Sequence, residues 1–388
     1  MKILYDHQIF EAQTFGGISR YFFELMKCFN SDFKDVAFEL PLSYSNNYYI
    51  NNADFFNRKF NKINLHYDNF ISKNYFKGKY KLFKLAQKTG LITDYSGINK
   101  KMSVASIKKQ DFDVFHPTYY DGYFLEHIGK KPFVLTVYDM IHELFPAEFN
   151  HDDKFYELKK LLIEKASKVI AISGSTKRDI IKLYNKFEDK IEVVYLGNSL
   201  KPPAEKDFEV KTPENYLLFV GGRDKHKNFM FFIESIASLL KRDSGLSVLC
   251  AGGGAFSKKE LAVFNKLGVG DKISQCSFND DKLYFIYKRA MAFVFPSLYE
   301  GFGIPVLEAF ASGCPLIVSN CSSLPEVAGG AAVYIDPLSG ESIKSAVEKV
   351  IGDAGLRDEL RLKGYEQLKK FSWLVTAQKT REIYEKLL

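Results

Sequence analysis

Pro296-Ser-Leu-Tyr-Glu-Gly-Phe-Gly-Ile-Pro-Val-Leu-Glu308 follows the apolar run Met291 to Phe295 and leads into Val306-Leu-Glu-Ala-Phe-Ala-Ser312, which Gly313 stops. The run before it reads as a short buried strand and the run after it as a short helix. A strand, a glycine-rich bend and a helix start gather free backbone N–H groups and a positive dipole end in one place, which makes an anion site. Pro305 suits the first helical turn, where its missing N–H costs nothing. Gly301 and Gly303 permit a tight bend and a close approach to a ligand. Glu300 before the bend and Glu308 inside the helix flank the turn with seven residues between them. They are placed to touch the neutral, hydroxyl-rich parts of whatever carries the anion. A plain strand-turn-helix with a helix-start carboxylate fits the same spacing.

Working outward, 388 residues are too many for one ordinary core, and two domains are expected. The start, Met1-Lys-Ile-Leu-Tyr5, enters strand-like sequence directly, so no secretory signal is expected. No apolar run reaches the ~20 residues that span a bilayer, so a cytoplasmic location, at most peripheral on the inner face of the membrane, is expected. The five cysteines form no C-x-x-C pair and the seven histidines no H-x-x-x-H or H-E-x-x-H spacing, so no metal site is expected.

Residues 2 to 10 read as a first strand, followed by Gly16-Gly17 and a helix carrying Ile18, Tyr21, Phe22, Leu25, Met26 and Phe29. Arg20, one turn in, faces either an anionic ligand or solvent. Strands at Asp113 to His116, Pro132 to Tyr138, Lys168 to Ile172 and Ile191 to Tyr195 alternate with helices, the pattern of a doubly wound parallel sheet with ligands at the carboxyl strand ends. His116 and Asp139 fall at such ends, with His142 and Glu143 close behind. Residues 199 to 214, with three prolines, read as a linker between domains 1–198 and 215–373. A second series then opens with Tyr216 to Val220 and Gly221-Gly222-Arg223-Asp-Lys-His-Lys227. This is again a phosphate cradle, with Arg223 and Lys227 supplying charge. It is neither G-x-G-x-x-G nor a Walker motif, which weakens dinucleotide and NTPase readings. Leu356 to Phe371 reads as helical, and Trp373 interrupts before a last helix, 374–388.

Between Phe55 and Gln110, thirteen Lys and Arg face only Asp68 and Asp94, a local charge of +11 against +7 for the whole chain. Phe60, Tyr67, Phe70, Tyr75, Phe76, Tyr80 and Phe83 are interleaved with the lysines. That mixture suits anionic lipid head groups. It also fits single-stranded nucleic acid, or a solvated helical face whose rings belong to the core.

Tyr287-Lys-Arg-Ala290, Phe295 through Glu300 and Glu308 to Ser319, and Leu324-Pro-Glu326-Val-Ala-Gly329 closely resemble the retaining glycosyltransferases of family 4, which have the GT-B fold. Gly16-Gly17-Ile-Ser-Arg20-Tyr, Phe115-His-Pro117, Thr136-Val-Tyr-Asp-Met140, Ala171-Ile-Ser173 and Val220 to Asn228 fall in that family's order. The resemblance implies two Rossmann-like domains facing a cleft, the nucleotide-sugar donor on the second and the acceptor on the first. The last helix is expected to cross back onto the first domain. By matching position, Glu308 is expected on the ribose, Glu300 near the transferred sugar, and Arg223 and Lys227 on the diphosphate. Gly16, Gly17, Gly222 and the Gly301-Phe302-Gly303-Ile304 turn are expected to line the donor site. Asp139 is a further sugar contact and catalytic candidate, and Arg20, His116 and His142 are acceptor-side candidates. No metal or cofactor is implied. The family's usual His-Asp is Tyr138-Asp139 here, and Arg223 sits earlier than the basic residue that many relatives place before Lys227, where this chain has His226. Tyr138 to Pro146 and Gly16 to Arg20 look most like bacterial O-antigen or capsule transferases, which implies a GDP-sugar such as GDP-mannose and a lipid-linked oligosaccharide acceptor. Peripheral contact with an anionic membrane through 55–110 is expected, and a nucleic-acid partner is not. A UDP-sugar donor is the alternative; a same-fold nucleotide-sugar epimerase and a non-catalytic binding module are the remaining rivals.

Overall fold

The computed structural model describes residues 1–56, 58–65, 67–72, 76–146, 153–203 and 210–388. Lys73 and Tyr75 of the basic aromatic stretch, His66, His151 and residues 204–209 of the linker lie outside the described residues. Among the described residues, short runs rich in Val, Ile, Leu and Phe, punctuated by Gly and Ser, form twelve strands. In the first domain these are β1 (Lys2–Tyr5), β2 (Ala37–Glu39), β3 (Val114–His116), β4 (Val134–Val137), β5 (Lys168–Ala171) and β6 (Ile191–Val193). In the second they are β7 (Asn215–Val220), β8 (Leu246–Ala251), β9 (Ile273–Cys276), β10 (Ala292–Phe295), β11 (Leu316–Ser319) and β12 (Val333–Ile335). Every ladder among them is parallel. Strands with near-continuous apolar content need both faces covered, and helices cover them.

The second domain's sheet runs β12-β11-β10-β7-β8-β9. In the first domain β2-β1-β3 and β4-β5-β6 are linked by a parallel bridge between Phe115 and Phe133, which carries the order across. Strand order therefore reverses between β1 and β3 and again between β7 and β10. A crevice opens beyond the carboxyl ends of the strands at such a switch point. The stretch Pro296 to Glu308 follows β10, and Gly221 to Lys227 follows β7.

Two local expectations are corrected. The first strand ends at Tyr5, not at residue 10, because buried Asp6 accepts hydrogen bonds from the Thr118 amide (2.9 Å) and hydroxyl (2.6 Å) and turns the chain out of the sheet. Ile9 and Phe10 reach the core from a short helix, Gln8–Ala12, instead. Trp373 does not interrupt a helix but opens one, Trp373–Glu385, because the Ser372 hydroxyl caps the Leu374 amide at 3.2 Å. The indole N–H donates to the Ser199 hydroxyl at 2.8 Å, and a Cβ on Gly197 would collide with the Trp373 backbone. This helix packs on Gly17–Ser31 of the first domain, and Arg381 pairs there with Asp35 at 2.7 Å.

His116 belongs to that docking and not to an acceptor site. Its ring is fully buried, with Nδ1 2.6 Å from the Tyr384 hydroxyl of the last helix and Nε2 2.9 Å from Thr136 Oγ1. Burial drives its pKa from 6.5 down to about 3. The unfolded chain therefore binds the extra proton between those values, so this residue's stabilisation is complete above pH 6.5 and is lost as pH falls toward 3. His116→Gln is expected to flatten the pH dependence of stability between neutral pH and pH 5 by up to about 1.4 kcal/mol per pH unit. Urea titrations at both pH values check this, and equal losses in the two proteins would contradict it.

Candidate active site

A cavity of about 360 Å³ lies between the two domains, walled by Gly16, Gly17 and Arg20 on one side and by Glu300, Ile304 and Glu308 on the other. Its floor is the turn after β10. Gly303 takes φ +101°, a left-handed conformation closed to most side chains, and caps the helix Ile304–Ala311 with Pro305 in its first turn. Gly301 has a different reason: a Cβ there would run into the Tyr138 carbonyl oxygen of the opposite domain. Buried Ser323 pins the turn by donating to the carbonyls of Glu300 (2.9 Å) and Phe302 (3.0 Å), while the Glu300 amide donates to Ser322 Oγ at 3.0 Å. The Phe302 ring packs 5.9 Å from Phe371 and 6.0 Å from Tyr195.

Glu308 is only 6 % exposed: from across the cleft Arg20 Nη1 lies 3.2 Å from Oε1, and from its own domain the Tyr287 hydroxyl donates to Oε2 at 3.2 Å. Burial and the Glu308 carboxylate hold the Tyr287 phenol well above its ordinary range, which keeps it a donor. Arg20 Nε donates to the Tyr49 hydroxyl at 2.8 Å, and its guanidinium carbon lies 5.5 Å from the Phe15 ring and 5.3 Å from that of Tyr49. Arg20, carried by the first domain's helix Gly17–Ser31, thus reaches across the cleft onto Glu308 of the second.

Glu300 pairs with Lys227 at 2.7 Å, with both side chains partly shielded. Lys227 is delivered by the short 3-10 turn Lys225–Lys227, right after the β7 glycines. Arg223 does not reach this pair. Its Nε is held by Glu260 at 2.6 Å and its terminal nitrogens donate to the carbonyls of Gly252, Gly254 and Ala255 at 3.1–3.2 Å. A glutamate 37 residues downstream in sequence claims it, which no spacing rule exposes. Gly222 lies in the same loop, where a Cβ would meet Asp224 Oδ2 at 2.8 Å.

Asp139 lines the cavity beside Gly301. Its carbonyl accepts from Lys159 Nζ at 2.7 Å, and the same buried ammonium pairs with Glu143 at 3.1 Å, so the loop is anchored from below. His142 is not among the cavity residues; its ring packs edge-on against Phe155 with centroids 5.2 Å apart. Further contacts hold the cleft in this arrangement. Glu326 accepts from the Gly174 and Ser175 amides at 3.1 Å each, capping a helix of the opposite domain. Tyr299 accepts from the Met140 amide (3.1 Å) and donates to Asp179 (2.7 Å). Phe15, Tyr49, Tyr287, Ser323 and Glu326 were given no role by the sequence reading. Tyr287 and Glu326 do lie in stretches that carry the family resemblance, and Phe15 is an aromatic beside a glycine pair; Tyr49 and Ser323 carry no local signal.

Comparison with known proteins gives the family and the fold. Two family models match in succession, described as Glycosyltransferase Family 4 over residues 95–200 and Glycosyl transferases group 1 over residues 201–367. The O-antigen chain mannosyltransferase RfbU of Salmonella typhimurium is 34% identical over 221 residues, 56% of this chain and 60% of that protein. The O-antigen chain mannosyltransferase B of Escherichia coli is 26% identical over 314 residues, 76% of this chain and 80% of that one. Among solved structures, Anabaena Alr3699/HepE in complex with UDP and glucose aligns with a TM-score of 0.71 at 15% identity, covering 98% of each chain, which speaks to the fold.

Proposed function

Because the chain belongs to the family 4, group 1 glycosyltransferases and has their GT-B fold, we propose that it transfers mannose from GDP-mannose to a lipid-linked oligosaccharide, with retention of anomeric configuration and without a metal. The observation that carries this reading is the pairing of both turn carboxylates, Glu300 with Lys227 and Glu308 with Arg20, at a cleft between two switch points.

The ribose hydroxyls take the place of Arg20 on Glu308. The diphosphate lies along the amides of the Gly301 to Ile304 turn, where the helix dipole and Lys227 offset its charge. Arg223 joins it once released from Glu260. The sugar sits between Glu300 and Asp139. As the bond from the anomeric carbon to the diphosphate oxygen breaks, Lys227 stabilises the charge that collects on that oxygen. The acceptor hydroxyl attacks from the same face and gives its proton to the departing phosphate. Glu300 positions the sugar.

The mannosyltransferase names of the relatives support the sugar; the UDP complex of the solved neighbour supports a UDP-sugar as the second reading. A thermal-shift screen of GDP, UDP and ADP with their sugars separates them, since a ligand at a hundred times its Kd adds about 2.7 kcal/mol. GDP-mannose is expected to raise the midpoint most. A larger rise with a UDP-sugar replaces the first reading by the second.

A further inference from the structure

We infer that the helix Lys79–Lys88, with Ile71 before it and Leu91 after it, rests on the surface of an anionic lipid bilayer. This goes beyond the transfer reaction and does not depend on which sugar is moved. From Phe70 to Thr93 the sequence contains no acidic residue. On the helix itself Lys79 and Phe83 are buried, with the Phe83 ring 5.6 Å from Tyr67 and 5.3 Å from Phe70. That packing fixes which face points outward. Lys81, Lys84 and Lys88, spaced three and four apart, are exposed and form one stripe. Leu82 and Leu85 form the stripe beside it, 47% and 56% exposed. Tyr80 borders the lysines on the other side at 59% exposure, its ring 5.9 Å from Lys84 Nζ. Ile71 and Leu91 are 70% and 83% exposed.

Single exposed apolar side chains need no explanation. Five large ones between Ile71 and Leu91, set among lysines and no carboxylate, call for a partner that is apolar and anionic together. A bilayer with acidic head groups is such a partner: the leucines enter the acyl boundary while the long lysine stems keep their ammonium groups at head-group level. Nucleic acid answers the lysines and has nothing for Leu82, Leu85 and Leu91. No described helix is long and apolar enough to cross a membrane, so the contact assigned is with its surface.

The test is co-sedimentation of the full chain with vesicles of phosphatidylcholine alone and with added phosphatidylglycerol. Wild type is expected to sediment with the anionic vesicles and little with the neutral ones. The triple variant Lys81→Gln, Lys84→Gln, Lys88→Gln is expected to lose roughly a hundredfold in partitioning, from the usual contribution of a lysine near an anionic surface. Leu82→Ser with Leu85→Ser is expected to lose at least about tenfold. Because all five side chains are exposed, both variants should keep the wild-type melting temperature. Failure of wild type to bind anionic vesicles overturns the proposal, and so does unchanged binding of the leucine variant. Retention of a single-stranded oligonucleotide in place of vesicles would transfer the surface to nucleic acid.

Discussion

Gly301→Ala is expected to lower transfer by about a hundredfold while leaving both domains folded, the loss associated with displacing reacting groups by about an ångström. The reason is a contact between domains. A methyl at Gly301 occupies the place of the Tyr138 carbonyl oxygen and comes within 3.0 Å of Asp139 Cβ. Neither is the end of a flexible side chain, so the cleft must open. Opening draws Asp139 away from Glu300 and strains the hydrogen bond from Thr176 to the Gly301 carbonyl, which is 3.3 Å long in the closed cleft. Initial rates with saturating donor check it. A rate within a few-fold of wild type would mean that the closed arrangement is not the working one.

Lys227→Met should cost about 10²- to 10³-fold in kcat, the range seen when one preorganised donor to developing charge is removed. Lys227 pairs with Glu300 at 2.7 Å. With donor bound, that ammonium is the cation nearest both the carboxylate and the breaking bond in the placement proposed above. Arg223, tied to Glu260 and three carbonyls, does not substitute for it without rearranging. A loss confined to KM, with kcat intact, would assign Lys227 to ground-state binding only.

The two effects differ in how far the sequence announced them. Gly303, Pro305 and Glu308 were readable because glycine, proline and a carboxylate at fixed offsets carry local meaning, and the β/α alternation around them fixed a doubly wound sheet. The partners were not readable. Arg20 and Glu308 stand 288 residues apart in the chain, and their meeting depends on how two sheets face one another. His116 had the right position, a carboxyl strand end, yet lies under the last helix, where Tyr384 and Thr136 satisfy both ring nitrogens. Arg223 had the right charge in the right loop, and a nearer carboxylate claims it. The strand read through Ile9 and Phe10 went wrong for a similar reason: burial alone does not tell a strand from one helical turn, and the deciding contact, Asp6 with Thr118, is again distant in sequence.

Arg20 gives the account its sharpest consequence. If the ribose displaces its guanidinium from Glu308, donor binding exchanges a bond between the domains for one to ligand, and the carboxylate must carry a full charge to make that exchange favourable. Titration calorimetry of GDP against wild type and Glu308→Gln measures this directly. The account predicts binding weaker by about tenfold or more in the variant, the usual value of a hydrogen bond to a charged group, alongside a lower melting temperature from the buried Arg20 left without its carboxylate. Equal affinity in the two proteins would contradict it and remove the ribose from Glu308.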